Sequence, residues 1–219
     1  MKKHMDKFYH LLTYLFIFAA TPLIAYDYSI WQEEELPAHI DELASVEINV
    51  FRGYPYLFEG TMEGERNYLN QYLISKNSVW VVAKDGERII GAITGLPLNE
   101  AFEECRDCFL KENLPMEKIF YLGEIVLLKE YRGQGIGVQM YTLFEQFVRE
   151  NTAHQEIAFC EIVSPKDDPR RTSDYFCLDK FWTKREFVKR PHLVTQFSWK
   201  EIDNETESPH PMVFWTKKL

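Results

Sequence analysis

The stretch Tyr131–Gly137, "YRGQGIG", constrains this chain more than any other. It follows a β-rich run, "FYLGEIVLL", and leads into "VQMYTLFEQFVRE", whose apolar residues recur at helical spacing. Strand, glycine turn and amphipathic helix in succession call for a sheet with a helix packed on it. Glycines at such a junction let backbone N–H groups converge on an anion, and the helix N-terminus adds partial positive charge.

Three phosphate-binding patterns compete for the turn. A P-loop requires G-x-x-x-x-G-K-[ST], and neither lysine nor hydroxyl follows Gly137. A dinucleotide fingerprint requires G-x-G-x-x-G, but counting from Gly133 and Gly135 puts the third glycine at Val138, and this turn lies past the middle of the chain. The pattern R-x-x-G-x-G is met without substitution by Arg132, Gly135 and Gly137. Arg132 adds a fixed cation beside the backbone donors.

The rest of the chain alternates between strand and helix signals without repeats. "YDYSIWQ" reads as a strand, and "LPAHIDELASVEINVF" and "MEGERNYLNQYLIS" read as helices. "SVWVVAKDGERIIGAITGL" is a hairpin turning at Asp85-Gly86. A long loop from about 97 to 117 carries a short helical piece, "EECRDCFLKE". After the glycine turn and its helix come the strand "QEIAFCEIV", a charged loop, and a predicted helix "SDYFCLDKFWTKREF" with Ser173 as N-cap. "LVTQFSWKEI" and "MVFWTKK" end the chain as strands. Hairpins mixed with crossover helices predict an α/β fold: one mixed sheet with helices on both faces.

Composition narrows the function. The 219 residues are 46% hydrophobic, enough for one domain with a full core, and the net charge of −9 argues against nucleic acid as partner. Cys105 and Cys108 have zinc-ligand spacing, but no second pair completes a site, so no metal is expected. Cys160 has no histidine motif beside it and reads as a core thiol.

The N-terminus reads separately. "MKKHMDK" is cationic, "LLTYLFIFAA" is an apolar run, and "TPLIA" offers a cleavage site after Ala25, with Leu23 larger than the preferred small residue. Residues 1–25 therefore read as a signal peptide, and 26–219 as the globular domain. The apolar stretch 8–26 alternatively serves as a membrane anchor, with the domain outside the cytoplasm. A leader belonging to the fold, or an unused upstream start, is the plain competitor.

"GEIVLLKEYRGQGIG" and the helix after it resemble the GNAT superfamily of acyl-CoA-dependent N-acyltransferases. The resemblance implies a mixed, mostly antiparallel twisted sheet with helices on both faces, and acetyl-CoA as co-substrate. It implies that Arg132, Gly133, Gln134, Gly135, Ile136 and Gly137 cradle the pyrophosphate. Backbone groups of the preceding strand, Val126, Leu127 and Leu128 among them, would hold the pantetheine arm, and the strand Gln155–Val163 would splay away to admit the thioester. It also implies an amine acceptor, small-molecule or peptide. Dependence on acetyl-CoA points to the cytoplasm, whereas the leader points to export or the membrane.

Amine acylation needs a base, because an amine with pKa near about 10 arrives protonated. Strand alternation predicts that Glu124 shares a face with Phe120, Leu122, Val126 and Leu128, a carboxylate in an apolar row whose pKa burial would raise. Glu161 on the next strand is a second carboxylate near the same cleft. One departure from the family pattern lies in "LDKFWTKREF": Trp182 stands where a tyrosine commonly protonates the thiolate, and Glu186 where a glycine is common. An indole N–H cannot act as that acid. Tyr175, on the same predicted helix, would lie about 10 Å away at 1.5 Å per residue. That departure motivates the alternative of a non-catalytic acyl-CoA-binding module.

Overall fold

The computed structural model describes residues 26–219 apart from Glu33 and Lys166. The signal-peptide and anchor readings therefore lie outside the described residues. Within them, no helix is long and apolar enough to cross a membrane.

Seven strands form one sheet: β1 (Asp27–Trp31), β2 (Val79–Asp85), β3 (Arg88–Pro97), β4 (Ile119–Leu127), β5 (Glu156–Ile162), β6 (Val188–Trp199) and β7 (Ser208–Lys218). Their spatial order is β1-β2-β3-β4-β5-β7-β6, and every pairing is antiparallel except β4 with β5. The β2–β3 hairpin turns at Gly86, whose φ of 58° is the left-handed conformation that glycine tolerates. Helices α1 (Leu36–Phe51) and α2 (Met62–Ile74) follow β1, α3 (Glu103–Lys111) precedes β4, α4 (Ile136–Asn151) links β4 to β5, and α5 (Asp179–Thr183) precedes β6.

The helices cover both faces. A Cβ added at Gly95 of β3 would strike Phe144 of α4, so Gly95 admits that ring against the sheet. On the other face, a Cβ at Gly123 of β4 would strike the hydroxyl of Tyr72 from α2. Packing on the α4 face is largely aromatic: Phe120 meets Phe144 at 5.9 Å, and Phe159, Trp182, Phe187 and Tyr141 form a continuous cluster.

The predicted helix from Ser173 is cut down to Asp179–Thr183. The chain from 173 to 178 is turn and irregular instead, so Ser173 caps no helix and Tyr175 does not share a helix face with Trp182. Residues 170–177 are mostly exposed and polar, and little apolar burial is available to hold that stretch helical.

Candidate active site

Two strands that should zip together come apart. β4 and β5 pair only at Ile119–Glu156, Phe120–Ile157 and Tyr121–Ala158. Beyond Tyr121 and Ala158 no pairing continues, and burial changes at the same level. On β4 the run from Ile119 to Leu122 is buried while Gly123, Glu124 and Ile125 are half-exposed; on β5 the change falls between Phe159 and Cys160. The inner edge of β4 from Leu122 onward therefore offers backbone groups with no strand to satisfy them. An extended amide-bearing chain can add there much as a strand would.

The open edge leads to the glycine turn. Gly133 (φ 76°) and Gly135 (φ 84°) take the left-handed conformation, and Gly135 is the N-cap of α4. Gly137 has no such φ, and a Cβ at any of the three would meet nothing within 4 Å. These glycines therefore face open space, and their missing side chains leave room for a ligand at the first-turn N–H groups of α4. Arg132 Nε donates to Leu127 O at 3.0 Å, which fixes the guanidinium beside the turn. Tyr26 donates to Gln134 Oε1 at 2.7 Å, and Gln134 Nε2 donates to Glu130 O at 3.2 Å, so the turn is held from both sides. The donor set and open cradle fit a pyrophosphate.

Glu124 does not sit where strand alternation predicts. The β3–β4 register shifts between Thr94 and Gly95: Thr94 pairs with Glu124, Gly95 with Leu122, and Gly123 is left over. This bulge inserts one residue and turns the following side chains to the other face. Phe120 still packs on α4, but Glu124 points to α1 and α2, where its carboxyl meets Glu47. Its backbone N–H donates to Thr94 Oγ1 at 3.0 Å, so the disrupted ladder is partly repaired.

Around Glu124 stand residues that the sequence reading missed. Glu47 of α1 is fully buried and Glu65 of α2 is 5% exposed. Among the described residues, neither Glu47 oxygen has a hydrogen-bond donor, and buried Oε2 of Glu124 also lacks one. Burial, then the Glu124 and Glu65 charges, pushes the Glu47 carboxyl well above the usual range. Burial, then Glu124, lifts Glu65 to about 7. Burial also raises Glu124, against the lowering effect of hydrogen bonds with Glu47 and Tyr68. Three carboxyls this close together and out of water cannot all ionise freely, and all three are shifted toward the protonated form. One signal was legible: Glu47 follows Leu43 by four residues, and Glu65 precedes Leu69 by four, so both fall on buried stripes.

The β5 wall differs. Glu161 forms an ion pair with Lys189 Nζ at 2.7 Å, and Lys189 also lies 3.8 Å from Asp179. Cys160 Sγ lies 3.3 Å from the Tyr121 hydroxyl. Burial, then the charges of Cys160, Glu124 and Glu161, pushes the hydroxyl of Tyr56, from the loop after α1, well above the usual tyrosine range. Trp199 Nε1 donates to Tyr56 O at 2.9 Å and steadies that loop. Trp182, by contrast, is buried in the aromatic cluster beside Phe159. Glu186 takes a left-handed backbone (φ 67°), a conformation that favours glycine and is uncommon for a residue with a side chain.

Residues 45–171 match the model of the acetyltransferase (GNAT) family. The chain belongs to that family. Its membership supports N-acetyltransferase activity in general. No curated protein matches the chain. Among solved structures, a GNAT-family acetyltransferase from Streptococcus pneumoniae superposes with a TM-score of 0.54 at 14% identity, covering 88% of this chain and 100% of the other. A ribosomal-protein-alanine N-acetyltransferase from Brucella melitensis gives 0.54 at 14%, with 87% and 99% covered. An acyl-CoA N-acyltransferase from Pseudomonas aeruginosa gives 0.56 at 12%, with 88% and 99% covered. At such identities the likeness concerns the fold.

Proposed function

We propose that the protein transfers an acetyl group from acetyl-CoA to a primary amine. The observation that carries this reading is the unzipped β4–β5 edge ending at the open glycine cradle. Arg132, Gly133, Gln134, Gly135, Ile136 and Gly137 hold the pyrophosphate. The backbone of Val126, Leu127 and Leu128 lies along the pantetheine, with Leu127 O shared with Arg132. The acyl end then reaches the cleft at Glu124. Acetyl-CoA supplies the activated acyl group; the chain's own residues orient it and manage protons.

Glu124 acts as the base. Its raised pKa lets it take a proton from an arriving ammonium near neutral pH. Glu161 on β5 is a carboxylate already paired with Lys189, which suits acceptor contact more than proton removal. Water serves as the proton source for the departing thiolate, because Trp182 lies buried in the aromatic cluster and an indole N–H is no acid.

Thiol release from acetyl-CoA in the presence of primary amines tests this reading. Acetyl-CoA should also raise the melting temperature, since a ligand that binds only the folded state stabilises it by mass action. Stabilisation without release from any amine would favour a non-catalytic acyl-CoA-binding module.

A further inference from the structure

Lys129 stands at the head of the turn that runs into the glycine cradle, and its ammonium is already taken. Arg132 N–H donates to Lys129 O at 3.2 Å, so both cations stand on one tight turn. Lys129 Nζ lies 2.5 Å from Asp174 Oδ2. The bond to Lys129, before its other donors, holds the Asp174 carboxyl down at about 2, so it is ionised at neutral pH. Asp174 is no part of the turn. It comes from the loop between β5 and α5, and that loop has other attachments. Arg170 pairs with Asp168 at 2.9 Å and with Glu201 of the β6–β7 connection at 2.6 Å. Tyr54, from the loop after α1, donates to Pro165 O at 3.4 Å, and its ring meets Tyr175 edge-on at 4.8 Å.

The attachments differ in strength. The Asp168 and Glu201 side chains are 8% and 12% exposed, whereas Lys129 and Asp174 are 74% and 52% exposed. An ion pair standing in water holds a segment only weakly. The loop is therefore firmly held at Arg170 and lightly latched at the cradle. We propose that Asp174 is a surrogate anion, which occupies Lys129 while the cradle is free and is displaced by the phosphates of the acyl-CoA donor. This goes beyond the acetyl-transfer reading and rests on it. A phosphate carries more charge than a carboxylate and offers more acceptor oxygens to the ammonium. Once it is seated, the Asp174 carboxylate beside it is repelled, and the loop is released at that end. The β5–α5 loop thus responds to the phosphate-bearing half of the donor. A thioester arm without phosphates leaves the latch closed.

Two measurements on the full chain test this: affinity by calorimetry, and the rate of trypsin cleavage after Arg171, an exposed site between the firm attachment and the latch. The probes are acetyl-CoA and S-acetyl-pantetheine, which share the thioester arm and differ in the phosphates, compared at equal occupancy. Acetyl-CoA should speed the cut by at least about fivefold, because cleavage follows the open population of the loop, while S-acetyl-pantetheine leaves it unaltered. Asp174→Asn should be cut at the fast rate without ligand. It should bind acetyl-CoA about three- to fivefold more tightly, as for loss of one exposed competing charge, and S-acetyl-pantetheine with unchanged affinity. Lys129→Met should weaken acetyl-CoA and lose the ligand dependence of the cut. Protection of the loop by acetyl-CoA, or an acetyl-CoA affinity unchanged in Asp174→Asn, would overturn the latch alone. An equal gain for both probes would place the Asp174 effect outside the phosphates and overturn it too. Failure of the native chain to bind acetyl-CoA would overturn the donor reading, and the latch with it.

Discussion

The cleft has two ends built on different principles. At the glycine turn the chain supplies backbone donors, a helix N-terminus and one guanidinium, all within six consecutive residues. At the acceptor end it supplies side chains from α1, α2, β4 and the loop carrying Tyr56, brought together only by folding. The turn is open and solvated, so a doubly charged pyrophosphate keeps its water until it binds. The acceptor end is desolvated, so its groups change protonation state instead of shedding water. On the proposed function, affinity belongs to one end and proton chemistry to the other, and variants should separate them.

The largest expected effect is at the turn. Gly137→Val places a branched side chain where nothing now stands within 4 Å, at a position of ordinary backbone. The protein should fold with an almost unaltered melting temperature, yet lose its stabilisation by acetyl-CoA and with it turnover. Gly135→Val is a poorer probe because its φ of 84° strains any side chain. A full acetyl-CoA shift in Gly137→Val would remove the turn from the binding site.

Glu124→Gln should do the reverse. Acetyl-CoA stabilisation stays, while kcat falls by about 10²-fold, the loss typical of a missing general base. The rate in the native chain should rise with pH as Glu124 ionises, and this limb should flatten in the variant. An unchanged pH–rate profile would make Glu124 structural.

Those two variants also mark what could be read before the structure. The turn's conformation was legible because it is local: R-x-x-G-x-G puts a left-handed glycine, Gly135, at the head of a helix. The element order was legible for the same reason, since hairpin, cap and amphipathic period are short-range. Glu124 stood out by residue type but was assigned to the wrong face, because a one-residue bulge reverses alternation and its one mark in β4 is Gly123, the residue left over. The helix expected from Ser173 failed because its apolar residues follow no buried face. Glu47 and Glu65 were visible only as charges on apolar stripes, and their meeting is a property of how α1 and α2 pack on β4.

A smaller effect concerns stability. Glu65 ionises at about 7 in the fold, above the ordinary carboxyl range, so the folded state is favoured most at low pH and loses this contribution as pH rises through 7. Glu47 and Glu124 act in the same direction. Asp41, Asp168 and Asp174 have lowered values, and their contribution is lost only under more acidic conditions. Denaturant unfolding at pH 5.5 and pH 8 should show the native chain weaker at pH 8, and Glu65→Gln should recover up to a few kcal/mol there. Equal pH dependence in both proteins would mean that Glu65 is solvated or compensated in solution.

The smallest effect is expected on the β5 wall, and it decides whether the two carboxylates flanking the cleft are equivalent. Glu161 is held by Lys189, and that ammonium also lies over the Trp215 ring at 5.0 Å. Removing the Glu161 charge leaves Lys189 with Asp179 and the ring, so the fold should change by no more than about 1 kcal/mol, as for a partly exposed pair. Glu161→Gln should lower kcat by less than about threefold and raise KM modestly, because a paired carboxylate contributes field but takes no proton. Lys189→Met is the sharper probe. It leaves Glu161 without its cation while the carboxyls around Glu124 are untouched, so the pH dependence of the rate should stay with Glu124. A tenfold or greater fall in kcat for Glu161→Gln, with the pH dependence lost, would instead assign proton removal to β5 and leave the β4 cluster as a binding site alone.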